Sequence, residues 1–183
     1  MRVVGISGVA RVGKDTFFEA VRGYYSDSSA RRMAFADELK IECDDFLKKN
    51  IGISAFTEDS NEKALIRPFL VTYGSHLRRK LDADCWVNKV SETIHKMKDQ
   101  NKTVFITDVR YENEILWIKK KMNGINIYIE REGIKPANDE ELHNDKILRK
   151  KSDYIINVPN FKRSELKNKY PLFINNIRQL ITK

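Results

Sequence analysis

The stretch Arg2-Val3-Val4-Gly5-Ile6-Ser7-Gly8-Val9-Ala10-Arg11-Val12-Gly13-Lys14-Asp15-Thr16 decides the fold. Its first six residues carry the β-branched Val3, Val4 and Ile6 and are stopped by Gly8, the pattern of a short buried strand. A G-x-x-x-x-G-K loop follows from Gly8 to Lys14, and an amphipathic helix is expected from Asp15 to Tyr25. Gly8 and Gly13 let the backbone wrap so that successive N–H groups face a phosphate. The helix N-terminus adds partial positive charge, and Lys14 can reach the β- and γ-phosphates of a nucleotide. Arg11 lies inside the same loop and is counted with Gly8, Gly13, Lys14 and Thr16 as cofactor-binding. Such loops commonly carry Ser or Thr after the lysine, whereas this one has Asp15 and then Thr16. A carboxylate beside a triphosphate is repelled unless a cation lies between them. Asp15 is therefore expected to hold Mg²⁺ directly or through water, with the Thr16 hydroxyl on a phosphate oxygen. The alternative is that Asp15 merely complements the helix N-terminus.

Working outward, four more strand patterns are Arg32 to Phe35, Thr103 to Asp108, Ile125 to Glu130 and Tyr154 to Val158. Helical patterns fill Asp37 to Lys49, Glu62 to Lys80, Trp86 to Gln100, Glu112 to Met122 and Arg163 to Thr182. In the last of these Leu166, Tyr170, Phe173, Ile174, Ile177 and Ile181 form one apolar stripe. Apolar strands alternating with helices predict an α/β domain with a parallel five-stranded sheet covered on both faces. Two segments break the alternation. Residues 37–102 hold only helical patterns, too long for one crossover, and read as a helical substrate-binding insertion. Residues 131–152 are polar and charged, with Gly133 and Pro136 near the start, and read as a short mobile lid.

In an open parallel sheet, ligands sit at the carboxyl ends of the strands. Asp108, Arg110 and Glu114, in VFITDVRYENE, fall there: a carboxylate that can order Mg²⁺ and its water, and an arginine that can fork onto phosphate oxygens. In the insertion, Arg67, Arg78 and Arg79 lie near Gly74-Ser75 and Trp86 in sequence; arginine binds phosphate through two donors, and an aromatic can cover a base. Trp86 in the core is the competing reading. Lys40, in the FADELK helix start, can point into the same cleft. Arg131, directly after the fourth strand, is placed to neutralise a transferring phosphoryl group as a lid closes.

With 34 Lys and Arg against 26 Asp and Glu, the 183-residue chain carries a formal charge of +8, and 41% of it is hydrophobic. That balance excludes a disordered or fibrous chain and suits one domain with an insertion. No apolar run is long enough to span a bilayer, and Gly, Arg and Lys come too early for a signal-peptide core, so an intracellular, cytoplasmic protein is expected. Cys43 and Cys85 lack metal-ligand or disulfide spacing, and His76, His95 and His143 show no zinc spacing. The excess charge fits nucleic acid, a membrane surface or polyanionic small molecules. Lys14, Arg67, Arg78, Arg110 and Arg131 fall on segments expected to converge on one cleft, which favours the last. The patches Lys119 to Lys121 and Arg149 to Lys151 stay unassigned.

GKDT after the first strand, AFADELK, YGSHLRRKL followed by Trp86, DVRYENE, and ER-x-G after the fourth strand together resemble the bacteriophage-type deoxynucleoside monophosphate kinases. The resemblance implies a P-loop NTPase fold of the nucleoside monophosphate kinase type, and an ATP- and Mg²⁺-dependent enzyme that converts a deoxynucleoside monophosphate to its diphosphate. It puts ATP phosphate contacts on Gly13, Lys14 and Thr16 and a catalytic or metal-linked role on Asp15. Monophosphate-binding positions fall on Arg67, Gly74, Ser75 and Trp86, and positions near the transferring phosphate on Asp108, Arg110 and Glu114. Lys14, Asp15, Asp108, Arg110 and Arg131 are the expected catalytic set, with Asp15 and Asp108 toward Mg²⁺. The sequence departs from the family pattern at Val12 and Ser75. Expected partners are small-molecule nucleotides, with no stable nucleic-acid partner and no membrane, in a host cytoplasm if phage-encoded; a homodimer stays open. Other readings are a P-loop kinase for another small acceptor, such as dephospho-coenzyme A, and a nucleotide-regulated nucleic-acid-binding module.

Overall fold

The computed structural model describes residues 2–25, 29–96, 102–160 and 163–175. The chain divides into two compact units, Met1–Met33 with Lys98–Lys183, and Ala34–Met97.

The first unit is built on five strands: β1 (Arg2–Ser7), β2 (Ala30–Met33), β3 (Thr103–Val109), β4 (Ile125–Arg131) and β5 (Tyr154–Val158). All pairs are parallel, in the order β2-β3-β1-β4-β5. Val4, at the centre of β1, is paired with Phe105 of β3 and Ile125 of β4. β1 thus has strands on both edges, and Val3 to Ser7 are all buried, as in a strand whose two faces are covered. Around the sheet lie α1 (Lys14–Arg22), α6 (Glu112–Leu116) with a π-helical turn at Trp117–Lys121, α7 (Asp139–Lys151) and α8 (Arg163–Ile174). Phe17, Phe18 and Val21 of α1 are buried against Ile6, Phe105 and Ile129 of the sheet. Burial of each such side chain contributes about 1.5–3 kcal/mol. α8 closes this core, with the Tyr170 ring edge-on to Phe17 at 5.5 Å. Of the stripe expected along α8, Ile177 and Ile181 lie outside the described residues, as does the side chain of Leu166.

Three sequence readings change in this unit. The second strand is Ala30–Met33, not Arg32 to Phe35, because pairing with β3 ends at Met33↔Ile106. Asp37 N–H then bonds Ala34 O at 3.1 Å and the chain turns into a helix with Phe35 in its first turn. Within residues 131–152, read as a short mobile lid, lies the 13-residue helix α7, for which the sequence reading named no element. Asn138 caps it by accepting from Glu141 N–H, acids fill its first turn and bases its last. Only Leu148 of α7 is buried, so apolar periodicity gave no signal. The helix expected over Glu112 to Met122 widens into a π-turn after Leu116.

The second unit holds α2 (Phe35–Ile51), α3 (Ser60–Val71), a π-helix (Thr72–Arg78), α4 (Arg79–Leu81) and α5 (Cys85–Lys96). Its core is Cys43, Leu47, Ala55 and Ile66, flanked by Leu39, Ile53, Leu70 and Tyr73. Asp59 caps α3 through Asn61 N–H and Glu62 N–H, so the helix starts before the Glu62 expected from periodicity. The single helix expected through Lys80 gives way at Thr72 to the π-helix, one turn after Pro68, which cannot donate an N–H. Both cysteines are buried and unpaired, with thiol pKa values pushed up by burial, Cys43 to about 11.

Candidate active site

The loop between β1 and α1 has the conformation its glycines permit. Gly8 has φ 134° and Gly13 φ 106°, and Arg11 adds a third left-handed residue at φ 65°. A Cβ on Gly8 would lie 2.3 Å from the Ile129 carbonyl oxygen, so no other residue fits there. The Lys14 ammonium bends back to donate to Gly8 O at 2.6 Å and Val9 O at 2.9 Å. From the far side, the buried Tyr170 hydroxyl donates to Gly13 O at 3.1 Å.

Lys14 is the electrostatic centre of the site. Its pKa is lowered from 10.5 to about 8, first by burial and then by the charge of Arg110, against the upward pull of Glu141, Asp108 and Asp15. Two cations and three carboxylates from four segments thus share one neighbourhood, the first unit's carboxyl-end face. Asp15 is largely exposed; its Oδ1 accepts from the Arg32 Nε at 3.0 Å and from the buried Thr107 hydroxyl at 3.1 Å. Thr16 follows, half-buried in the first turn of α1. Asp108 is half-buried near the end of β3, and Arg110 is exposed just beyond it.

Glu114 takes a different place from the one its sequence position suggested. It is 1% exposed, and its carboxylate accepts from Arg110 N–H at 2.6 Å and Tyr111 N–H at 3.0 Å. It fixes the turn that carries Arg110 rather than facing a ligand. Arg131 ends β4 on the wall of a cavity of about 530 Å³ that Val9, Tyr128, Ile134, Asp145 and Val158 also line. Its Nε is buried with no hydrogen-bond partner among the described residues.

Within the helical unit, Glu42 gathers three partners: the Tyr73 hydroxyl, Arg78 Nε at 3.0 Å and the Lys89 ammonium at 2.5 Å. Arg78 and Lys89 also lie over the Trp86 ring at 5.7 and 5.9 Å. Trp86 is 3% exposed and donates through Nε1 to Gly74 O at 3.3 Å. It is a core residue of this unit and presents no face to a base. Gly74 is buried too, with Leu39 in the space a side chain would need. Ser75 is half-buried, Arg67 is exposed on α3, and the Lys40 ammonium sits over the Phe56 ring at 5.4 Å.

Arg32, Thr107, Glu141 and Tyr170 were not among the expected site residues. Thr107 directly precedes Asp108, a hint in the sequence; Arg32 and Glu141 reach the site only through the fold. Among the described residues no three His, Cys, Asp or Glu side chains gather as metal ligands, and no helix is long and apolar enough to cross a membrane. The unassigned basic patches are partly paired: Lys119 with Asp153, Arg149 with Glu130, and Lys151 with Glu112.

A family model described as deoxynucleotide monophosphate kinase matches residues 19–169. The match begins within α1, so the reading of the loop stands on its own geometry. Among solved structures, the dephospho-CoA kinase of Campylobacter jejuni is similar with a TM-score of 0.52 at 14% identity, over 100% of this chain and 98% of that one. The shikimate kinase of Bacteroides thetaiotaomicron gives a TM-score of 0.47 at 10% identity, over 100% and 99%. At 14% identity the likeness to dephospho-CoA kinase speaks to the fold alone, and with the all-parallel sheet and the family match the fold is that of the P-loop kinases. No curated protein sequence matches the chain.

Proposed function

This chain belongs to the deoxynucleotide monophosphate kinase family, and on that premise we propose that it transfers the γ-phosphoryl group of ATP to the 5′-phosphate of a deoxynucleoside monophosphate, with Mg²⁺. The observation that carries this is the charge cluster around Lys14. A half-buried ammonium and the Arg110 guanidinium beside a wrapped loop invite a polyphosphate, which would neutralise their mutual repulsion.

Mg²⁺ prefers hard oxygen ligands, keeps several waters, and is commonly held by one or two carboxylates plus substrate phosphates. Asp15 and Asp108 fit that donor set, since both carboxylates act on the same ammonium. They would hold the ion directly or through water, and it would neutralise charge on the bridging phosphate oxygens. In the transfer, an oxygen of the acceptor phosphate attacks the γ-phosphorus and the bond to the bridging oxygen of ADP breaks, so no protein nucleophile is needed. Loop N–H groups, Lys14 and the Thr16 hydroxyl hold the donor phosphates. Arg110, its turn fixed by Glu114, neutralises the transferring group, and Arg131 lines the cavity beside the loop that we assign to the nucleoside of ATP. Arg32 and Thr107 orient Asp15. We read the helical unit as the acceptor's: Arg67, Arg78 and Lys40 supply its cations, while Trp86 and Gly74 shape the segment carrying Ser75 and Arg78.

The fold and composition support a small-molecule kinase acting in the cytoplasm, and the pairing of basic patches within the chain weakens the case for a nucleic-acid groove. The test is ADP release with dTMP, dGMP, dCMP, dAMP and their ribose counterparts. Turnover on at least one deoxynucleotide is expected; turnover on dephospho-coenzyme A and none on the monophosphates would overturn the acceptor assignment.

A further inference from the structure

The loop is already in contact with an anion of its own chain. Glu141 is the third residue of α7, where its own N–H bonds the Asn138 cap at 2.8 Å. Its side chain turns back: Oε2 accepts from Ala137 N–H at 2.6 Å, and Oε1 accepts from Ala10 N–H at 2.7 Å. Ala10 is inside the phosphate loop, so this carboxylate uses one of the donors a bound phosphate requires. Lys14 registers the same placement, since Glu141 is the carboxylate that acts on it most strongly, ahead of Asp108 and Asp15. Both contacts are charge-assisted and short, the stronger kind of hydrogen bond.

We propose that Glu141 competes within the molecule for the phosphate loop and lowers its apparent affinity for every phosphate ligand that takes the Ala10 N–H. A ligand that takes the Ala10 N–H has to displace the carboxylate. The loss falls by the same factor on every ligand that needs this N–H, because each binds only the fraction of loops that the carboxylate has left. The contact also ties α7 to the loop, so the helix is released when the loop fills. The inference rests on the loop's being the ATP site.

Binding of ATP, and separately of inorganic phosphate, is measured by calorimetry without acceptor for the wild type, Glu141→Gln and Glu141→Asp. The glutamine keeps the shape and loses the charge; the aspartate keeps the charge and loses a methylene of reach. Asp139→Asn controls for removing a charge elsewhere on α7. Removing a competing state that is mostly populated raises apparent affinity by its occupancy ratio, about three- to tenfold for a neutral replacement that still forms a weaker bond. Expected are tighter ATP binding in both Glu141 variants, a similar fold gain for inorganic phosphate, and no change in Asp139→Asn. Unchanged or weaker ATP binding in the Glu141 variants, or an equal gain in Asp139→Asn, overturns the proposal and leaves the loop assignment standing. No ATP binding by the wild type or either variant overturns both.

Discussion

Replacing Lys14 by methionine should abolish phosphoryl transfer and yet make the protein without nucleotide slightly more stable at neutral pH. The fall in the Lys14 pKa from 10.5 to about 8 corresponds to about 3 kcal/mol of penalty on its charged form. Methionine removes that penalty and keeps the volume. Against this, Gly8 O and Val9 O lose their donor, at about 1 kcal/mol each, leaving a net gain of about 1 kcal/mol. For a chain of this length that raises Tm by about 2–4 °C. The pH dependence is sharper, because the hydrogen-bond loss does not change with pH. Below pH 8 Lys14 carries its proton both folded and unfolded, so the penalty is constant. Between 8 and 10.5 the unfolded chain binds the proton and the folded one does not, so wild-type stability rises with pH. The variant's advantage should therefore be full at pH 7, shrink above pH 8 and reverse toward pH 10. Thermal melts of both proteins in steps from pH 6.5 to 10 read this directly. A variant that melts well below wild type at pH 7, or a difference that stays flat across the range, would refute the account of Lys14 as a half-buried charge held ready for phosphate.

Arg110→Ala is expected to lower kcat about 10²–10³-fold while ATP affinity changes little, as steady-state kinetics with a parallel binding measurement will show; a loss confined to ATP binding contradicts its place at the transferring group. Gly8→Ala forces a Cβ to within 2.3 Å of Ile129 O at φ 134° and should cost about 2–5 kcal/mol, seen as a lower denaturation midpoint; a neutral effect would mean the loop backbone is elsewhere. Glu42→Gln weakens the hold on Arg78 and Lys89 and should cost about 1–2 kcal/mol while raising KM for the monophosphate and leaving KM for ATP unchanged. A rise in the ATP value alone would argue against the helical unit as the acceptor's.

The loop and the central strands were legible because their signals are local: β-branched runs stopped by glycine, and two glycines spaced before a lysine. β2 was misplaced because Ala34 and Phe35 are buried in a helix start as fully as a strand residue would be, and burial alone does not tell the two apart. α7 was missed because a helix with one buried residue has no apolar period, although Asn138 and the acids after it were the signal available. Asp15 was read as a metal-side carboxylate from its neighbours in sequence; its bonds to Arg32 and Thr107 depend on β2 and β3 flanking the loop, which no local pattern encodes. For Trp86 the sequence weighs a core place against a face for a base, and the resemblance favours the latter; the structure buries it, with an arginine and a lysine over its ring. Glu141 and Tyr170 contact the loop from more than 100 residues away in sequence, and only the fold brings them there.

The most direct measurement follows the label from [γ-³²P]ATP in a mixture with each deoxynucleoside monophosphate, with Lys14→Ala alongside. A kinase of this kind places the label in a deoxynucleoside diphosphate with the wild type and forms none with the variant. Label recovered only as inorganic phosphate, or a diphosphate product that persists in Lys14→Ala, would contradict the central claim.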